Sequence, residues 1–470
     1  MANSRKSRSP DKDGEVTAAF ERALGEILAR VAVSGAAASL HIGVAFSGGL
    51  DSTVLLHLAS QYAQSRGISL SAFHVHHGLS PNADAWLAHC QREAARCGAP
   101  LVSRAVDVSN PGGRGMEEAA RIARYRALGD MCRDSGCVLL LTAHHQDDQA
   151  ETVLLQLMRG AGLPGLSGMA PFQARHELLG DGVSLGRPLL RVSRAALESA
   201  RHSYGLAHIT DESNSDVRYR RNALRHAVAP VIESHFPGFA ALVARSASHA
   251  QAAQALLQDL AEIDLAGCNA QRWDAPLDVP ALQALPPHRA DNLLRHWLYR
   301  NKVQLPSTAR LEEIRSQMLQ AAGDMHPFFD FGAMTLRRIG SRLELHPRVG
   351  QPPLEPVALR WNGEAELAVP AWRGKLLFEP TDGLGLSADA LRRHILMLHP
   401  RAGQERLKLA ANRPSRTLKS LYQEAEIAPW RRLWSPLLYL NGQLVFVAGL
   451  GMDVRHAVMG QAVVVRWETV

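Results

Sequence analysis

Between residues 40 and 159, apolar strand-like runs alternate four times with segments of helical spacing. "LHIGVAF" precedes "STVLLHLASQYAQSRG", and "LSAFHVHH" precedes "ADAWLAHCQREAARCG". "LVSRAVDV" precedes "MEEAARIARYRALGDMCRDSG", and "CVLLLTAH" precedes "DQAETVLLQLMR". A short apolar run followed by a 3.6-residue period reads as a strand and then a helix. Repeated strand–helix units require a parallel sheet covered by helices. Ligands of such sheets bind beyond the carboxyl ends of the strands. The polar clusters of this region follow such ends or lie close after them.

The first cluster is Ser47-Gly48-Gly49-Leu50-Asp51-Ser52, at the join of the first strand and helix. Glycines there let the backbone approach a ligand and adopt positive φ. The helix N-terminus offers unpaired N–H groups and a positive dipole end, which suit a phosphate. Ser47, Ser52 and Thr53 add hydroxyls. The string lacks the lysine of a G-K-[ST] phosphate loop and the spacing of G-x-G-x-x-G. Asp51 sets a negative charge where phosphate should sit, which makes sense if Mg²⁺ lies between them. A tight strand–helix turn with Ser52 near the N-cap is the structural alternative.

The second cluster is "TAHHQDDQAET", residues 142 to 152. Read as a helix, it places His144, Asp148 and Glu151 at i, i+4 and i+7, on one face. Such a set can bind Mg²⁺, hold a substrate ammonium or transfer protons. A solvated helix start with acids matched to the dipole competes with that reading. Glu117, Arg121 and Arg124 share a face of the third helix, a stripe that by itself reads as surface ion pairs. His74 and His76 share a side of the second strand and His77 lies on the other. "RGAGLPGLSGM" (159 to 169) is a loop, either a linker or a substrate cover. Arg218, Arg220, Arg221 and Arg225, interleaved with Tyr219 and Asn222, suit phosphates and a stacked base. A basic surface helix is the alternative.

At 470 residues the chain should hold about three domains. The expected division is a disordered tail at 1–15, a nucleotide-binding domain at 16–240 and a mainly helical domain at 241–350. A strand-rich linker at 351–390 and a small α+β domain at 391–470 complete it. "YLNGQLVFVAG" predicts a hairpin turning at Asn441-Gly442. The net charge of +7 suits a polyanionic partner. Five cysteines at irregular spacing, without C-x-x-C, argue against a disulfide framework or zinc ribbon and fit the cytoplasm. The basic, polar N-terminal stretch reads as a tail and not as a signal peptide. No apolar run is long enough to span a bilayer.

The string S-G-G-x-D-S resembles the signature of the PP-loop ATP pyrophosphatases, which cleave ATP between the α- and β-phosphates. Further matches make the chain resemble one family among them, the tRNA(Ile)-lysidine synthetases. They are H-V-x-H-G-L at His74–Leu79, E-x-x-A-R-x-x-R-Y at Glu117–Tyr125 and T-A-H-H-x-x-D-Q-x-E-T at Thr142–Thr152. The glycine loop Arg159–Met169, Arg187–Leu190, and Asp211–Asn214 with Arg221–Arg225 complete an ordered set over about 180 residues. "LRHWLYRNKVQLPS" and "IAPWRRLWSPLLY" are similar to the tRNA-contacting C-terminal regions of longer members.

The resemblance implies a parallel-sheet PP-loop domain, then a helical domain and a small α+β domain. It implies that free L-lysine is ligated to C2 of the wobble cytidine of an isoleucine tRNA with a CAU anticodon, with ATP and Mg²⁺. Ser47, Gly48, Gly49, Leu50, Asp51 and Ser52 would hold pyrophosphate, with Asp51 also on the metal. Arg124, His144, Asp148 and Glu151 would contact ATP, metal and lysine. Arg218, Arg221, Arg225, Arg431 and Arg432 would contact RNA. A homodimer is compatible with this reading. The rivals are a tRNA thiolase, which commonly needs paired cysteines, an ammonia-using synthetase, and a non-catalytic tRNA-binding protein.

Overall fold

The computed structural model describes residues 12–33, 40–76, 82–107, 116–210, 218–268, 270–320, 327–348 and 350–469. The chain forms two compact units, Met1–Asp259 and Leu260–Val470.

The first unit opens with helix α1 (Lys12–Val33). Val16, Phe20, Leu24, Ile27 and Val31 recur every three or four residues and are all buried, so one face of α1 joins the core. The expected tail at 1–15 therefore gives way to helix at Lys12. Strand β1 (His41–Ala45) leads to α2 (Leu50–Arg66), and β2 (Ser69–His76) to α3 (Ala83–Arg96). Strand β3 (Leu101–Ala105) leads to α4 (Met116–Asp134), and β4 (Leu139–Leu141) to α5 (Gln146–Leu157). The four alternations expected from the sequence are thus present. Short β5 (Phe172–Gln173) and β6 (Ser184–Gly186) complete the sheet in the order β3-β2-β1-β4-β6-β5. All neighbours are parallel except β5, which runs antiparallel to β6.

The chain winds away from β1 in one direction through β2 and β3, and in the other through β4 and β6. The β1–β4 boundary is a topological switch, and a crevice opens at its carboxyl end. The loops after β1 and β4 carry the two leading sequence clusters, so the fold places both at one crevice. Helices α6 (Leu163–Leu166) and α7 (Arg194–Ser203) follow, the latter capped by Ser193 Oγ accepting from Ala196 N at 3.3 Å. Helix α8 (Arg220–Ala223) passes through a π-helical turn, Leu224–Val228, into α9 (Ala229–His235); α10 is Phe239–Gly267.

The region 241–350 is mainly helical as expected, with a small sheet added. Helices Val279–Ala284, Pro287–Arg300 and Thr308–Gln320 share a core with a four-stranded antiparallel sheet. The segment 351–390 is strand-rich as expected, but it is not a linker. Val357–Leu359 pairs with Leu396–His399, and Gly374–Thr381 pairs over its whole length with Ala462–Thr469. Its strands belong to the same two five-stranded sheets as residues 391–470. The expected hairpin joins Leu437–Leu440 to Gln443–Val447, with Asn441 (φ 50°) and Gly442 (φ 74°) both left-handed, as a two-residue type I′ turn requires. The cysteines are free thiols, and Cys132 and Cys137 are buried. Among the described residues no single helix is long and apolar enough to cross a membrane.

Phe20 is 1% exposed at the centre of the α1 face. Phe20→Ala should destabilise the first unit by about 3–5 kcal/mol, read as a lowered denaturant midpoint. A loss below about 0.5 kcal/mol, the range of surface changes, would show that α1 is not part of this core.

Candidate active site

The turn after β1 is shaped by Gly48. Its φ is +81°, and a Cβ there would lie 2.8 Å from both Cys90 Sγ and Ile209 Cδ1, so glycine is required on two counts. Gly48 O accepts from Ile209 N at 2.9 Å, which ties the turn to the chain beyond α7. Ser52 Oγ donates to Gly49 O at 3.0 Å and lies 3.1 Å from Ser47 Oγ. Thr53 Oγ1 donates to Gly49 O at 2.9 Å. The first intrahelical bond of α2 is Thr53 N to Gly49 O, so the helix leaves over the amides of Leu50, Asp51 and Ser52. Hydroxyls rigidify the turn from inside, and the amides and dipole end remain for an anion.

Asp51 starts the first turn of α2. One carboxylate oxygen is 3.3 Å from Arg194 Nη1 and 3.9 Å from His145 Nε2. The other, Oδ1, is buried without a hydrogen-bond partner. Burial raises the Asp51 pKa, against the pull of His145 and Arg194. Among the described residues no three His, Cys, Asp or Glu side chains converge to hold a metal by themselves.

The second cluster folds differently from its helical reading. Helix α5 begins at Gln146, His145 is its N-cap, and His144 lies before the helix. Asp148 and Glu151 share a helical face as expected, but His144 joins them from the extended connection after β4. Its Nδ1 is 3.0 Å from Thr142 Oγ1. Burial pushes His144 down to about 3, with Arg187, Arg221 and Arg124 adding to the effect and Asp148 opposing it. It is a neutral imidazole at pH 7.

His145, 1% exposed, was not singled out by sequence reasoning. Its Nε2 is 3.3 Å from Asp148 Oδ2, and its Nδ1 is 3.6 Å from Asp147 Oδ2. Burial works against its charge, but Asp147, Asp148 and Asp51 outweigh that and raise its pKa. Asp147 in turn accepts from Arg194 N at 2.9 Å, at the start of α7.

Arg221 and Arg225, expected on an RNA-facing surface, instead brace the carboxylates. Arg225 Nε donates to Glu151 Oε1 at 2.6 Å, and its Nη2 to Asp148 Oδ1 at 3.0 Å. Arg221 Nε donates to Glu151 Oε2 at 2.8 Å. The Glu151 side chain is only 7% exposed, so its charge needs these partners. Burial would raise the Asp148 pKa, but His145, Arg221 and His144 hold it below the ordinary carboxylate value.

The other expected residues are placed less centrally. Arg124 is exposed on α4, with its charge acting on His144. Arg121 pairs with Glu118 at 3.7 Å, and the Glu117 side chain lies outside the described set. His74 is a core histidine, with Nδ1 2.9 Å from Phe46 O. His77 and residues 211–217, with D-x-S-N, lie outside the described residues. Arg218 is exposed on the segment entering α8. In the second unit Arg431 is exposed, whereas Arg432 is half-buried and donates through Nε to Ile427 O at 2.6 Å. Arg187 and Arg194 were missed; "RPLLRVSR" signals them only as basic residues after β6.

A native His144 pKa below the unfolded value of about 6.5 means the unfolded chain binds more protons between roughly pH 3 and 6.5. Stability therefore falls on acidification through that window, by at most about 1.4 kcal/mol per pH unit. His144→Gln should flatten this slope in chemical denaturation at pH 5 and pH 7; an identical slope in both proteins refutes the buried neutral histidine.

The PP-loop domain family matches residues 17–232. The TilS substrate binding domain matches 277–343, and the TilS substrate C-terminal domain 396–467. The tRNA(Ile)-lysidine synthase of Ralstonia nicotianae is 44% identical over 439 residues, covering 91% of this chain and 92% of that protein. That of Burkholderia pseudomallei is 43% identical, covering 90% and 91%. That of Methylococcus capsulatus is 38% identical, covering 93% and 99%. With such identity along nearly its whole length, the chain belongs to the tRNA(Ile)-lysidine synthase family.

Proposed function

We propose that the protein uses ATP to ligate free L-lysine to C2 of the wobble cytidine in an isoleucine tRNA with a CAU anticodon, in the cytoplasm. The observation that carries the reading is the meeting of Asp51 and the Asp148–Glu151 pair at one crevice, bridged by His145. In the first step the C2 oxygen of cytidine attacks the α-phosphorus, and the bond to the leaving pyrophosphate breaks. In the second the lysine ε-amine attacks C2, and the C2–O bond breaks to release AMP. Adenylation converts a poor oxygen leaving group into a phosphate ester.

The turn Ser47–Ser52 receives the pyrophosphate on the amides left over by α2. Mg²⁺ fits the site, because Asp51 Oδ1 is an unpartnered buried carboxylate oxygen and Mg²⁺ is usually held by one or two carboxylates plus substrate phosphates. When bound, it would neutralise charge on the phosphates. Arg194 beside Asp51 and Arg124 beyond His144 add positive charge around the nucleotide. Asp148 and Glu151 form a cation site, filled here by two guanidinium groups of the same chain, and the lysine ammonium carries the same charge. The amine must lose a proton before it attacks. His144, its pKa pushed far down by burial, is too weak a base to take that proton and serves as a neutral positioning group beside Asp148. The absence of C-x-x-C removes the usual sulfur-relay signature of a thiolase.

Labelled lysine, ATP and bulk tRNA incubated with the protein should put label into acid-insoluble RNA. No incorporation by folded protein would sink the reading. Asp51→Ala should lower incorporation by roughly 100-fold or more, the scale of losing a key electrostatic group. Its tRNA affinity should change by less than about twofold, because RNA binding draws on arginines spread along the chain. Collapse of tRNA binding with the fold intact would overturn this division of labour.

A further inference from the structure

The first unit contains a cavity of about 430 Å³ on the other flank of α5 from the catalytic carboxylates. This is within the usual range for a small-molecule or nucleotide-sized site. Gln146 and Gln149 of α5 line it, whereas Asp148 and Glu151 point to the arginines of the reaction centre. One helix thus separates the two spaces. The walls include Ile27, Met169 and Phe172, so much of the surface is apolar.

Arg30, Arg187, Arg191 and Arg245 line this cavity, against the single carboxylate of Glu26. Among the described residues none of the four forms an ion pair. Arg187 is only 6% exposed. Its Nη1 donates to Ala170 O at 2.7 Å and its Nη2 to Gln173 Oε1 at 3.1 Å, and the Tyr125 side chain also bonds it, so Arg187 is fixed as part of the wall. Arg30, Arg191 and Arg245, without ion pairs and set beside one carboxylate, make a wall that suits an anionic ligand. Arg30 lies over the Phe172 ring, 5.1 Å from its centroid, which makes a stacked platform of the kind a nucleobase extends.

We propose that this cavity receives a nucleotide of the substrate RNA other than the reacting cytidine, its phosphate on the arginine fork and its base against the Arg30–Phe172 platform. The proposal rests on the tRNA-modifying function above. An excess of guanidinium groups over apolar walls fits a phosphodiester with an attached base better than the lone carboxylate of a free amino acid. The ATP phosphates already have the Ser47–Ser52 turn. The cavity also abuts Met169, the end of the glycine loop. That residue is pinned by Gln149, with Met169 N donating to Oε1 at 2.8 Å, and by Gln251 Nε2 donating to Met169 O at 3.0 Å. Bound RNA would therefore touch the end of the glycine loop.

The test uses the full-length chain with Arg191→Gln and Arg245→Gln, singly and together; both side chains are exposed, so folding should survive. Binding of transcribed isoleucine tRNA is followed by fluorescence anisotropy across a salt series. Each lost phosphate contact should weaken binding about three- to tenfold and reduce the slope of log K against log salt by roughly 0.7–1. Arg245→Lys, which keeps the charge, should retain most of that slope. KM for lysine and for ATP should stay at the wild-type values. Unchanged tRNA affinity and slope in the double variant would overturn the proposal. A rise confined to KM for lysine would also overturn it, by assigning the cavity to the amino-acid carboxylate. Wild-type protein that incorporates no lysine refutes the parent reading; active wild type with unaffected variants refutes only the cavity assignment.

Discussion

The buried imidazole of His145 is the interaction on which the reaction centre depends. It stands within 3.3–3.9 Å of three carboxylates, Asp51, Asp147 and Asp148, and each belongs to a different structural task. Asp51 starts α2 and faces the anion-binding turn, Asp147 caps the start of α7, and Asp148 faces the two arginines near α8. Three partly buried carboxylates at the mouth of a parallel sheet repel one another. The imidazole at their centre has its pKa raised by them against the effect of burial, so a positive charge is favoured at that point.

Around that hub the charges alternate in sign. Arg221 and Arg225 neutralise Asp148 and Glu151 from one side, and Arg194 approaches Asp51 from another. His144 stays neutral between them because it is buried and arginines outnumber carboxylates on its side. The two adjacent histidines are therefore driven apart in pKa by environment alone. Such divergence separates proton-transfer groups from positioning groups.

The sheet domain was legible because its signals are local. Each strand–helix pair is written in adjacent residues, and the serine–glycine turn announces the break between two periodicities. Asp51, Asp148 and Glu151 were legible for the same reason, being polar exceptions at strand ends. What failed was the long-range part. Arg221 and Arg225 meet carboxylates 70 or more residues earlier in the chain, and an isolated basic segment reads equally as an RNA surface. His145 was hidden by its neighbour, because the helical pattern extended two residues too far back and made His144 the natural choice. The 351–390 segment looked like a linker because its partners, Leu396–His399 and Ala462–Thr469, lie later in the chain.

That last pairing bears on how the protein is made. Ala462–Thr469 lies between Gly374–Thr381 and Leu384–Ser387 in its sheet, so two earlier strands wait for one synthesised some 80 residues later. The nucleotide-binding unit has every strand of its own sheet by Gly186 and can fold while translation continues. The C-terminal sheet cannot close until residue 469 has left the ribosome. During that interval Gly374–Thr381 lacks one neighbour and presents an open edge, the kind of surface that chaperones cover and that aggregation exploits.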